Sequence, residues 1–308
     1  MIAVLAGGVG AARLLRGLVR IVDPAEVVVV ANTGDDLVLH GLHISPDLDT
    51  VTYTLAEAGN QETGWGLAGE SWQAMDSLDR YGGPSWFRLG DRDLGTHLFR
   101  TGRLAEGAGL AGVTAEIAEA WGLGFRLLPA TEDRLRTMVT LADGGEVGFQ
   151  EYFVGLRHDV PVSGIRFEGA GDALPGPGVL DALTAAEVVV VAPSNPLVSI
   201  APILAIPGIA DVLRARRATN VAVSPIVGGS AIKGPADRML VEMGHESSVV
   251  GVARLYRDLV ATLVIDDVDS DLAGGVEAEG VRCVVTDTVM RSVDVAAALA
   301  ETAIGAGR

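Results

Sequence analysis

The stretch Ile44–Thr50, ISPDLDT, holds two carboxylates, Asp47 and Asp49, separated by a single leucine and set behind a proline. In an extended segment, residues i and i+2 point the same way, so both acids could face one Mg²⁺ ion or one hydroxyl. In a helix they splay apart, and Asp47 becomes a cap for the segment that follows. Both geometries are open at the level of sequence. Just upstream, NTGDD (32–36) brings Asp35 and Asp36, readable as capping or solvated acids, and His40 and His43 bracket a glycine turn.

A second acidic and basic cluster lies at FRLGDRDLGTHLFRTG (87–102), where Arg88, Asp91, Arg92, Asp93 and His97 fall within ten residues. On an unbroken helix these would form an i,i+3 and i,i+4 ion-pair network. Gly90 and Gly95 interrupt such a helix, and paired arginines suit bidentate capture of a phosphate or diphosphate. LAGGVGAARLL (5–15) reads as strand, glycine turn and helix, a form in which Gly7, Gly8 and Gly10 let backbone amides approach a phosphate. Arg13 stands where a dinucleotide fingerprint has its third glycine, and the second strand ends in Asn32-Thr33 rather than an acid. NAD is therefore not favoured. Further along, APSNP offers Ser194 and Asn195, while VSPIVGGSAIKG offers Pro225, Gly228 and Lys233. The chain carries no G-x-S-x-G, H-E-x-x-H, C-x-x-C or lysine-bearing P-loop, which argues against serine-nucleophile and zinc chemistry.

The elements that must position these residues are short Val/Ile runs at 2–7, 26–32, 187–195, 220–225 and 261–267, with helical patterns between them such as 12–22 and 251–260. Strands buried on both faces and alternating with helices predict an α/β fold with a doubly wound, mostly parallel Rossmann-like sheet. Ligands in such sheets bind outside the carboxyl ends of the strands, where every polar cluster named above would converge. The region 125–155 alternates over shorter runs around a DGG turn at 143–145 and reads as an antiparallel hairpin. It is expected within a smaller mixed α+β, cap-like insertion spanning about 60–165 of one compact 1–308 unit.

The 308 residues include 40 acids against 23 bases, a net charge of −17. That excess argues against non-specific nucleic-acid binding and adhesion to anionic membranes. Cys283, the sole cysteine, rules out an intrachain disulfide and a thiolate cluster. No apolar run approaches the length of a membrane span, and the first residues lack a signal-peptide pattern. A soluble, cytoplasmic location is expected.

In chain order, LAGGVGAARLL, NTGDD, HGLHISPDLDT, GWG, LGDRDLGTH, LLPATEDR, FQEYFV, APSNPLVSI and VSPIVGG resemble the motifs of the CofD/FbiA family, over residues 1 to about 290. These are the transferases that join an organic-acid phosphate to the deazaflavin Fo in coenzyme F-420 biosynthesis. The resemblance implies a guanosine diphosphate derivative of phosphoenolpyruvate or 2-phospholactate as donor. It further implies the terminal ribityl hydroxyl of Fo as acceptor, Mg²⁺ as cofactor, release of GMP, and a homodimer. GGVGAAR and GDDLVLHGL look closer to the actinobacterial branch, which leans the donor toward phosphoenolpyruvate. Carried onto this chain, Fo contacts fall on Asp49 and Arg88, with Asp91 and Arg92 beside them. Asp47 and Asp49 become the catalytic and metal-binding candidates, Asp47 ranked first for metal. Nucleotide and phosphate contacts are expected at Gly7, Gly8, Gly10, Asn32, Ser194, Asn195, Pro225, Gly228 and Lys233. A competing reading is a non-catalytic nucleotide-sugar-binding regulatory protein of the same superfamily.

Overall fold

The computed structural model describes residues 1–61 and 64–308. Its central sheet comprises β1 (Ile2–Ala6), β2 (Val27–Ala31), β3 (Arg126–Pro129), β4 (Val188–Val191), β5 (Asn220–Val223), β6 (Thr262–Ile265) and β7 (Arg282–Val285). All seven run parallel in the order β7-β6-β5-β4-β1-β2-β3. The order reverses between β1 and β4, and such a switch point opens a crevice at the carboxyl ends of the strands. The doubly wound α/β sheet expected from the Val/Ile runs is therefore present.

The runs form strands because every position has an apolar neighbour. VVVVA of β2 and VVVV of β4 are buried throughout. Successive side chains feed opposite cores, Ala3 and Leu5 on one face, Ile2, Val4 and Ala6 on the other. The second face is covered by α1 (Gly8–Ile21) and α4 (Val293–Gly307), through Leu14, Leu15, Leu18, Leu299 and Ala300. The first is covered by helices that include Val179–Ala185, Ile209–Ala215 and Val249–Tyr256.

The expected insertion at about 60–165 is corrected. RLLP at 126–129 is no hairpin strand but β3, the edge strand of the main sheet, paired parallel to β2. The reason is burial on the sheet: Leu127 and Leu128 enter the two opposite cores. The additional elements lie on both sides of β3. Before it come an antiparallel hairpin of Leu37–Leu39 with Leu42–Ile44, then α2 (Pro46–Leu55) and α3 (Asp93–Ala105). After it, Arg136–Leu141 pairs antiparallel with both Glu146–Gly148 and Val162–Glu168. The turn at 143–145 is closed by Gly145 N–H donating to Asp143 Oδ1 at 2.9 Å, as DGG suggests.

α1 and α4 meet at Gly17, where a Cβ would lie 2.2 Å from the Ala296 carbonyl carbon. Gly17→Ala is expected to force the helices apart and cost about 1–3 kcal/mol. A thermal melt of the variant checks this, with a melting temperature several degrees lower expected.

Candidate functional site

The acidic loop is helical. Pro46 opens α2, which places Asp47 and Asp49 in its first turn, both buried. The carboxylates splay apart and meet different partners. Asp47 turns toward the glycine turn after β1: its Oδ1 accepts from Gly8 N–H at 2.6 Å and its Oδ2 from Asn32 Nδ2 at 3.0 Å. Asn32 ends β2 fully buried, and its Oδ1 accepts from Gly34 N–H at 2.8 Å. Gly8 has φ +71, a left-handed conformation that turns its amide out of the strand direction. The carboxylate thus occupies the N-terminus of α1, where the helix dipole favours an anion. Burial nevertheless dominates and raises the Asp47 carboxyl to about 6, against the lowering effect of Asn32 and Gly8.

Beside it, Asp35 is buried on the wall of the same crevice, and its Oδ1 has no hydrogen-bond partner. Burial first, and then repulsion from Asp47, push its carboxyl well above the ordinary range. Asp36 is also raised by burial, while Ser45 Oγ donates to its Oδ2 at 2.7 Å. An orphaned carboxylate oxygen next to a second under-compensated carboxylate is a hard-oxygen donor set, which fits Mg²⁺. Asp47 and Asp49, expected side by side on one ion, are not brought together; the carboxylate beside Asp47 is Asp35.

Asp49 belongs to a different group. The guanidinium of Arg100, buried on α3, grips it through both terminal nitrogens, Nη1 lying 3.2 Å from Oδ2. His97 Nδ1 is 3.8 Å from Asp49 Oδ2, and His97 Nε2 is 3.4 Å from Asp93 Oδ2. Tyr53 donates its hydroxyl to Asp93 Oδ1 at 2.6 Å. Asp49, Asp93 and His97 offer ligand atoms within 4.8 Å of one another. A cation there would have to share Asp49 with a guanidinium, which repels it, so this group reads as an ion-pair and proton network instead.

The rest of the crevice has two characters. Gly7, Gly8, Gly10, Arg13, Ser194, Asn195, Pro225 and Lys233 line it, together with Ser224 and Thr288. Gly7 N–H donates to Ser194 Oγ at 3.3 Å, joining the ends of β1 and β4. Lys233 Nζ stands 5.5 Å from the Trp65 ring centroid, and burial followed by repulsion from Arg13 lowers its pKa. Two cations near a glycine turn suit phosphates. Tyr53, Trp65, Phe87, Phe149 and Phe153 line the crevice as well, with Phe149 and Phe153 stacked at 5.6 Å. Such a wall suits a planar aromatic ligand.

Several expected contacts do not reach the crevice. Arg88 is turned to Asp76 and Asp79, at 2.5 and 3.4 Å, and packs over Trp72. Asp91 accepts from Ser71 Oγ and from the Gln73 and Ala74 amides, anchoring the start of helix Gln73–Arg80. Arg92 holds the Ala68 carbonyl and, through its own amide, Glu70. Asn32 acts through Asp47, and Gly228 N–H is taken by Asp269 Oδ2 at 2.9 Å. The residues of that segment that do line the crevice are Phe87, Asp93 and His97. Arg13, Asp35, Arg100, Phe149 and Phe153 were not singled out as site residues from sequence. Arg13 carried a signal as a cation one helical turn beyond the glycines, and Asp35, Phe149 and Phe153 lay within the quoted motifs NTGDD and FQEYFV.

Among the described residues no single helix is long and apolar enough to cross a membrane. The model of the 2-phospho-L-lactate transferase CofD family matches residues 2–302. The phosphoenolpyruvate transferase of Streptomyces griseus subsp. griseus is 46% identical over 308 residues, covering 98% of this chain and 97% of that protein. That of Mycobacterium sp. (strain JLS) is 41% identical over 310 residues, covering 93% and 94%. Among solved structures, protein BH3568 from Bacillus halodurans superposes with a TM-score of 0.66 at 18% identity, covering 98% of each chain, which speaks to the fold alone. By sequence over nearly its whole length, the chain belongs to the CofD family and is a phosphoryl-group transferase.

Proposed function

We infer that the protein transfers a phosphoenolpyruvyl group from its guanosine diphosphate donor to the terminal ribityl hydroxyl of the deazaflavin Fo, releasing GMP, in coenzyme F-420 biosynthesis. The observation that carries this reading is one crevice lined at once by a glycine turn, the cations Arg13 and Lys233, the acids Asp47 and Asp49, and several aromatic rings. The enolpyruvyl rather than the lactyl donor is favoured by the relatives' name, phosphoenolpyruvate transferase.

On this reading Arg13, Lys233 and the amides of the glycine turn hold the diphosphate, and the aromatic wall holds the deazaflavin ring. Asp35 and Asp47 would hold Mg²⁺, which supplies charge neutralisation at the reacting phosphate. Asp49, fixed by Arg100, orients the ribityl chain. The attacking oxygen and the leaving GMP oxygen must lie in line through phosphorus. Holding both substrates in one cleft reduces that requirement to a question of position. Among the described residues the chain places no thiolate in the crevice, and direct displacement needs none.

Incubation with Fo, Mg²⁺ and either the enolpyruvyl or the lactyl guanosine donor, followed by the mass of the deazaflavin product, tests the reading. The enolpyruvyl adduct and equimolar GMP are expected; no adduct from either donor refutes it. Because the Asp47 carboxyl titrates near 6, Mg²⁺ affinity should fall as pH drops through about 6, since a protonated carboxylate is a poor ligand. Calorimetric titrations at pH 8 and 5.5 would show it; equal affinities would contradict it.

The folded Asp47 carboxyl lies above its unfolded value of 3.8. Metal-free stability should therefore fall as pH rises from about 4 to about 6. Asp35→Asn, which removes a buried and repelled carboxylate, is expected to raise the metal-free melting temperature by a few degrees. It should also abolish the stabilisation by Mg²⁺ and reduce turnover by about 100-fold or more. A melt with and without Mg²⁺, beside the turnover assay, checks all three.

A further inference from the structure

The transfer reading leaves open which group receives the proton of the attacking hydroxyl, and the carboxylates of the crevice differ in what they can still accept. Asp47 is engaged by Gly8 N–H and Asn32 on its two oxygens. Asp49 is gripped by Arg100 on both of its oxygens, and only 8% of its side chain is exposed. A guanidinium fork uses the lone pairs that a new proton would need.

Asp93 also has a neighbour at each oxygen, but it is the most exposed of the three. It opens α3 on the crevice wall with its side chain 15% exposed, nearly twice the figure for Asp49. Tyr53 occupies its Oδ1 at 2.6 Å, while Oδ2 faces His97 Nε2 at 3.4 Å. That ring nitrogen is buried and closes no hydrogen bond.

The tautomer of His97 follows from its other neighbour. Arg100 Nη1 lies 3.3 Å from His97 Nδ1. A guanidinium nitrogen can only donate; where Nδ1 accepts from it, the ring proton sits on Nε2, on the side of Asp93. Arg100 thus touches two side chains together: it grips Asp49 and lies against His97 Nδ1, with His97 Nε2 on the side of Asp93 at 3.4 Å.

We propose that Asp93 is the catalytic base of the transfer, and that His97 and Arg100 are positioning residues acting through it. This assignment rests on the transfer reading above. The hydroxyl oxygen forms a bond to the phosphorus that bears the organic acid. The bond from that phosphorus to the bridging oxygen breaks, and its electron pair leaves with GMP. The hydroxyl proton passes to Asp93 Oδ2 and is later lost to solvent through the open side of the crevice. No oxidant, reductant or further reactant is required.

The test is steady-state kinetics with Fo, enolpyruvyl donor and Mg²⁺, reading deazaflavin product and GMP together, on the wild type, Asp93→Asn, Asp93→Glu, His97→Gln and His97→Leu. Asp93→Asn is expected to lower kcat by about 100- to 10,000-fold. Both KM values should stay within about threefold, as for an interaction made in the transition state alone. Asp93→Glu should recover part of that loss. His97→Gln, which can still present an N–H to Asp93, should keep at least about a tenth of kcat, and His97→Leu should fall well below it. A purely structural role would not produce this rescue order.

The proposal is overturned if Asp93→Asn keeps kcat within about threefold of wild type, or if its whole loss lies in KM. It is equally overturned if the two His97 variants are alike. Should Asp93→Asn fail to fold, the His97 pair and Asp93→Glu still decide the matter. Wild-type enzyme that yields no deazaflavin product would refute the transfer reading itself, and the assignment of a base with it.

Discussion

The carboxylate of Asp47 against the N-terminus of α1 is the contact on which the site depends. Gly8 N–H at 2.6 Å and Asn32 Nδ2 at 3.0 Å tie the turn after β1, the end of β2 and the first turn of α2 to one buried anion. A buried carboxylate is costly unless its oxygens are matched. Here the match is incomplete, since burial still lifts its carboxyl to about 6. The neighbouring Asp35 is compensated even less, with one oxygen lacking any partner. A fold that buries two incompletely matched carboxylates on a crevice wall is less stable for it.

The helical form of the acidic loop then divides the work. Side chains two apart on a helix cannot share one ion, so Asp47 joins Asp35 near the glycine turn while Asp49 joins Arg100. A buried ion pair is weak evidence for stability, because desolvation offsets much of the attraction. Its geometry is what matters for function: the fully buried Arg100 locks Asp49, lies against His97 and leaves Asp93 as the more accessible carboxylate. The chain as a whole carries −17, yet Arg13 and Lys233 both line the crevice. Local placement, not net charge, decides where a diphosphate can sit.

The sheet was legible in the sequence because parallel strands buried on both faces leave a simple trace, the unbroken Val/Ile runs. Sequence alone assigned β3 to a hairpin, since four residues of RLLP carry no period long enough to separate the two. At the site, the glycine turn and the strand ends at Ser194, Asn195 and Pro225 were readable because position in a doubly wound sheet predicts their direction. RLGDRD was misread residue by residue. Its arginines and first aspartate cap and brace neighbouring segments, while Asp93 faces the crevice. Side-chain direction there depends on where α3 begins, and helix starts are poorly encoded when Arg92 rather than a capping residue precedes the helix. Arg100 gave no sequence signal, because its role comes from tertiary contacts.

On the proposed function, the acidic residues divide into a cation-binding pair and a proton-handling network. The most direct measurement is anomalous diffraction from crystals soaked in Mn²⁺ with GMP present, since Mn²⁺ shares the oxygen preference of Mg²⁺. A single peak bonded to Asp35 and Asp47, with Arg100 still on Asp49, is the predicted result. A peak within Asp49, Asp93 and His97 that displaces the guanidinium would contradict this division.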